Sequence, residues 1–243
     1  MSILRTAIVL TVLVLANLAE AAEFRRENGH ISISGKIEKG DLARFRAFLK
    51  NAAIRLDLFR GGVALDSPGG DVSAAIGIAK ILHLAHASVW VHNGAVCYSS
   101  CFVLFAAGSY RLVGPGGSLG VHRLSFSKEA TIRETEQMLA EVGGSIEAYL
   151  RAAGMPEQIL QKARDTPPGE LFKFDGRWLT SGNLRLDYRP AFIDVVTKTC
   201  GDEPLASGKD FGQSAWLVCM DQVRWKEQKD NWFRILEEIA KPG

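Results

Sequence analysis

Along the chain, short apolar stretches alternate with longer amphipathic ones. Residues 30–37 (HISISGKI) alternate apolar and polar side chains, the period of a half-buried strand. Asp41 can then N-cap a helix in which Leu42, Phe45, Phe48 and Leu49 recur at helical spacing. Residues 63–65 predict a short apolar strand running into the turn Asp66-Ser67-Pro68-Gly69-Gly70, with a helix over 72–86. A strand at 88–92 follows, then a helical segment at 97–107 bounded by Gly94 and Gly108, then short strands at 110–113 and 118–122. A long helix is expected over 128–153, closed by Gly154, and Pro156 opens another up to 164. Strands alternating with helices indicate βαβ units and an α/β fold with mostly parallel strands. After Tyr188 the pattern changes. A final helix is predicted over 222–241, with Trp225, Trp232, Phe233, Leu236 and Ile239 on its apolar side. The expected division is a main domain at 23–187 and a C-terminal extension at 188–243.

Residues 1–22 carry a different pattern. Arg5 precedes an apolar run from Ala7 to Leu15, extending to Leu18, and Ala19-Glu20-Ala21 puts small residues at cleavage-site spacing. This is the pattern of a secretory signal peptide, with cleavage expected after Ala21 or Ala22. The stretch between Arg5 and Glu20 is shorter than the ~20 apolar residues a spanning helix needs. The mature protein is therefore expected to be exported, periplasmic or secreted, with no membrane attachment after cleavage.

Composition narrows the classes. Hydrophobic residues make up 47% of 243, too many for a disordered chain. The 29 basic and 27 acidic residues nearly cancel, so the charge gives no reason to expect nucleic acid as a partner. Export changes the reading of the four cysteines. An oxidising compartment favours two disulfides, and three pairings are open. Sequence proximity favours Cys97–Cys101 and Cys200–Cys219. Neither spacing is C-x2-C, which argues against zinc.

Three features carry candidate chemistry. The Pro68-Gly69-Gly70 turn between a strand and a helix frees backbone N–H groups and lets a ligand approach without a Cβ in the way. Ser99 lies at the start of an apolar helical segment, where a serine can be a nucleophile and the next N–H an oxyanion donor. His122 ends the apolar strand Leu119-Gly120-Val121, where it could act as a general base. Taken singly, each has an ordinary reading: a tight turn, a capping serine, a strand-end histidine.

Together they resemble the Clp protease proteolytic subunit of the Clp/crotonase superfamily. The shared pattern is a strand, then Ser67-Pro68-Gly69-Gly70, then a helix. A serine in a small-residue segment follows, with an apolar helix ending Ala106-Ala107-Gly108. Next come Arg111, Pro115 and a strand ending Val121-His122. The likeness spans about residues 30–187 and is similar to a secreted, periplasmic group whose serine lies in Cys-x-Ser-x-Cys, here Cys97 to Cys101. It implies a repeated βαβ superhelix and a serine hydrolase, with a peptidase the leading reading. Ser99 would be the nucleophile and His122 the base, with the Gly70 and Ser100 N–H groups as oxyanion donors. A Cys97–Cys101 bridge would clamp the turn that bears Ser99. No metal or other cofactor is required, peptide is the expected substrate, and a homo-oligomer is expected. The chain departs from the pattern at the acidic triad member, where Gly169 stands. Asp175 is the first alternative and Glu170 the second. That departure keeps open a non-catalytic binding or scaffold protein on the same fold.

Overall fold

The computed structural model describes residues 21–51, 59, 61–124, 143–175, 188–201 and 215–242. Residues 1–20 of the expected signal peptide, and residues 128–142 of the helix expected over 128–153, lie outside the described residues.

The chain is α/β, with the strand–helix alternation its sequence predicts. A five-stranded sheet has the order β1 (Glu23–Glu27), β2 (His30–Ser34), β3 (Val63–Asp66), β4 (Ser88–Val91), β6 (Tyr110–Val113). β1 pairs antiparallel with β2, and the other neighbours are parallel. The β1–β2 hairpin turns at Asn28-Gly29, both at positive φ (47° and 84°), as a two-residue hairpin requires. Helices α1 (Asp41–Asn51), α2 (Val72–Leu84) and α3 (Cys101–Ala107) connect the parallel strands. Every residue of α3 is buried, which explains why it reads as a plain apolar run.

A second line of pairing runs beside the first. β5 (Val96–Tyr98), β7 (Ser118–Val121) and β8 (Phe172–Phe174) form a three-stranded sheet. Isolated bridges extend it, from Ser67 to Cys97 and from Ile37 to Gly70. Each turn of the chain thus adds a strand to the large sheet, a short segment to the second line, and then a helix. The repeating unit is a βαβ crossover with an extra extended segment inserted before the helix. Gly70, Ser99 and His122 sit on or at the end of those inserted segments.

Two expected helices are corrected. The segment over 97–107 is not one helix: Val96–Tyr98 is a strand, and the helix begins at Cys101. Cys97 is buried between half-buried Val96 and Tyr98, a period of two that the apolar helix following it conceals. The helix expected over 222–241 is two helices, α7 (Ala215–Asp230) and α8 (Trp232–Ala240), broken at Asn231. The break separates the aromatic residues read as one face. Phe233 is 78% exposed, whereas Ile235 and Ile239 enter the main core.

Helices α4 (Gly144–Ala152) and α5 (Glu157–Asp165) precede β8, and α6 (Pro190–Cys200) opens the C-terminal segment. Pro156 caps α5 from just outside it. Arg111 on β6 is fully buried. It donates to the carbonyls of Ala106 (3.3 Å), Ala153 (2.8 Å) and Tyr188 (2.7 Å), and so joins α3, the end of α4 and the start of the C-terminal segment. The C-terminal helices have a small core of their own, formed by Tyr188, Phe192, Val196, Trp216, Met220 and Val223. Cys200 and Cys219 are disulfide-bonded across α6 and α7. α8 packs on α1 and α2, where Glu238 meets Lys80 at 2.6 Å and Arg46 donates to the Pro242 carbonyl at 3.0 Å.

Candidate active site

β5 and β7 are parallel neighbours, with Tyr98 opposite Gly120. Ser99 follows the last residue of β5 and His122 the last residue of β7, so both leave the same end of one ladder. The Ser99 N–H donates to the Gly120 carbonyl at 2.8 Å. Both residues, with Ser100 and Val72, line one cleft of about 250 Å³. Much of its remaining wall is apolar, from Phe102, Val103, Leu124, Ile146 and Leu150.

The chain passes from strand β5 to helix α3 within two residues. Ser99 absorbs the change at φ +55°, in the left-handed region that a non-glycine residue enters at a cost of roughly 1–3 kcal/mol. A sharp strand–turn–helix of this kind is how unrelated hydrolases expose a nucleophilic hydroxyl. Ser100, next to it, is buried. The disulfide Cys97–Cys101 joins the end of β5 to the first residue of α3 and so brackets this turn.

The glycine turn is packed directly against Ser99. A Cβ on Gly69 would come within 2.5 Å of the Tyr98 carbonyl oxygen and 2.7 Å of the Ser99 Cβ. Gly70 has φ +144°, and a Cβ there would land on the Ile37 carbonyl. The flanking groups are engaged: Ile37 N–H donates to the Gly69 carbonyl (2.9 Å), and Asp71 N–H to the Ile37 carbonyl (2.7 Å). Among the described residues, neither the Gly70 nor the Ser100 N–H donates to a backbone carbonyl. The Gly70 N–H stands just before α2, whose N-cap Asp71 accepts from Ala74 N–H at 2.7 Å. A 13-residue helix adds its positive N-terminal dipole there.

His122 Nδ1 lies 2.8 Å from the Arg123 carbonyl. A carbonyl only accepts, so Nδ1 carries the proton and Nε2 is left with its lone pair. The acid candidates fall differently. In the β7–β8 pairing Phe172 stands opposite Val121, which puts Leu171 level with His122. Asp175 is four places further along, roughly 13 Å at about 3.3 Å per residue. The structure does not bring Asp175 to His122. Glu170 is exposed, near the His122 end, and its N–H donates to the Pro167 carbonyl at 2.9 Å. The Arg123 carbonyl is the partner that sequence reasoning missed, because a backbone acceptor leaves no residue-type signal.

No protein-family model matches the sequence, and no curated protein matches it. Among solved structures, the chain is similar to a mutant of the 1510-N membrane-bound stomatin-specific protease. The identity is 17% and the TM-score 0.44, over 70% of this chain and 83% of that one. It is also similar to a mutant of ClpP1 from Listeria monocytogenes, at 16% identity and a TM-score of 0.46, over 63% of this chain and 85% of that one. The chemistry of the site rests on its own geometry.

Proposed function

We propose that the protein is an exported serine hydrolase that cleaves short or unfolded peptides. The observation that carries this reading is the left-handed Ser99 turn, in one cleft with His122 and beside two N–H groups that donate to no backbone carbonyl among the described residues. In the proposed reaction, His122 Nε2 takes the Ser99 hydroxyl proton as Oγ attacks the peptide carbonyl. The Gly70 and Ser100 N–H groups hold the oxyanion. His122 then gives its proton to the leaving amine, and water releases the acyl group by the reverse sequence. The Arg123 carbonyl keeps the His122 tautomer correct, the positioning half of a triad acid's role. It offers less stabilisation of the imidazolium than a carboxylate would. The apolar wall of the cleft suits an apolar substrate side chain beside the scissile bond.

The two disulfides and the sequence pattern of residues 1–22 support an exported protein, and no described helix is long and apolar enough to cross a membrane. A homo-oligomer is part of the proposal, by analogy with Clp-type proteins. The competing reading is a non-catalytic peptide-binding protein on the same fold, favoured by the backbone partner of His122 in place of an acid. A fluorophosphonate probe separates the two. The mature protein is expected to be labelled at Ser99, with labelling lost in Ser99→Ala and His122→Ala. Folded wild-type protein that stays unlabelled from about pH 6 to 9 would overturn the hydrolase reading.

A further inference from the structure

Behind the cleft lie two adjoining cavities of about 400 Å³ each, between α2, α4 and the C-terminal helices. They share His83, Leu84, Tyr149 and Arg234. One lobe is largely apolar, walled by Ile76, Ala79, Val103 and Ile146. The other, which we call the polar lobe, sets the polar groups of His86, Arg189, Glu227 and Asn231 among apolar neighbours such as Phe192 and Val195. We propose that this bipartite pocket binds an amphiphilic monoanion, a carboxylate with a linear aliphatic tail. Its headgroup would sit among Arg189, Tyr149, His83 and Arg234, and its tail in the apolar lobe.

Charge and hydrogen bonding both point to a single negative group. Arg189 is 4% exposed, yet its side-chain partners are the His83 and Ala107 carbonyls (3.4 Å each) and His86 Nδ1 (3.1 Å), none of them a carboxylate. Arg234 donates to the Asn231 side-chain oxygen at 3.2 Å. Lys80, at the rim, is already paired with Glu238. Among the described lining residues of the polar lobe the acid is Glu227, 3.9 Å from His86 Nε2. Two arginines facing one carboxylate leave one positive charge, which a monoanion neutralises.

Two buried polar atoms on the shared wall, Tyr149 Oη and His83 Nδ1, have no hydrogen-bond partner among the described residues. Such a group costs about 1–3 kcal/mol while it stays unpaired, and both can donate to a carboxylate. The backbone is also unusual here. α2 ends with His86 at φ +45°, a position that usually falls to glycine, and this conformation accompanies a ring held between Arg189 and Asn231. The local potential is positive. Burial first, and then Arg189 and Arg234, hold His83 down to about 4.

The pocket is separate from Ser99, and the test does not depend on hydrolase activity. Octanoate is titrated into the mature protein by calorimetry, beside 1-octanol, acetate and inorganic phosphate. Octanoate is expected to bind at least tenfold more tightly than each of the others. Tyr149→Phe and Arg234→Gln should each weaken it several-fold while leaving octanol unchanged. In the unmodified protein, octanoate should raise the His83 titration midpoint seen by NMR, because an added negative charge favours imidazolium. Equal binding of octanoate and octanol would overturn the proposal, reducing the site to an apolar cavity. Stronger binding of phosphate, no octanoate binding at millimolar concentration, or an unmoved His83 would also overturn it.

Discussion

Ser99 and Gly70 are held in backbone conformations that their neighbours over-determine. Ser99 is clamped by its hydrogen bond to Gly120, by the contact with Gly69 and by the disulfide on either side. The cost of its left-handed φ is then met by the surrounding structure, as is common where a turn presents a reacting group. His122 is oriented by a carbonyl one residue away. If that carbonyl is what sets the tautomer, Asp175→Asn should leave the fluorophosphonate labelling rate within about twofold. A loss of the order of 10⁴, the scale seen when a true triad acid is neutralised, would place Asp175 in the triad instead.

At the scale of elements, the two disulfides do different work. Cys97–Cys101 spans 4 residues, and Cys200–Cys219 spans 19. By loop-closure entropy alone, the first is worth about 2 kcal/mol and the second about 3. Replacing Cys200 and Cys219 by serine should therefore cost more in denaturant unfolding. Replacing Cys97 and Cys101 should cost less in stability but slow Ser99 labelling more, because that bridge spans the β5–α3 turn. Equal effects of both replacements on labelling would show that the first bridge has no special hold on the site. The elements were unequally legible. α1 and α2 announced themselves by spacing, and β2, β3 and β4 by short apolar runs between turns. β5 was hidden because its three residues continue into an apolar helix. β1 and β8 are short and charged or aromatic, and their strand character comes from the partner they pair with.

At the scale of the whole molecule, α8 closes against α1 and α2 while α6 and α7 seal one side of the polar pocket. His83 and His86 are enclosed there. Burial, then Arg189, holds His86 down to about 3, with His83 and Arg224 adding to the effect and Glu227 facing it. His83 is held to about 4 by burial and by Arg189 and Arg234. Both folded-state values lie below the unfolded value of about 6.5. As pH falls through about 6.5, the unfolded chain takes up protons that the folded one does not, so stability declines toward pH 4. The slope approaches about 1.4 kcal/mol per pH unit for each such proton. Chemical unfolding between about pH 6.5 and 5, above the range where carboxylates titrate, should show this decline. His83→Gln should flatten it, and an unchanged slope would mean that His83 titrates normally.

By itself the sequence determined the α/β alternation and the glycine turn, singled out Ser99 and His122 as candidates, and favoured the cysteine pairing nearest in sequence. These depend on local spacing, on turn chemistry and on motifs a few residues long. Only the tertiary structure decided that Ser99, His122 and Gly70 share one line of strand segments. It also decided that the β7–β8 register sets Asp175 away from His122, and that a buried arginine and two polar atoms without a partner among the described residues meet behind the cleft. Those outcomes depend on which strands become neighbours and in what register. Pairing across dozens of residues is set by burial and sheet geometry, and it leaves no periodic trace in the chain.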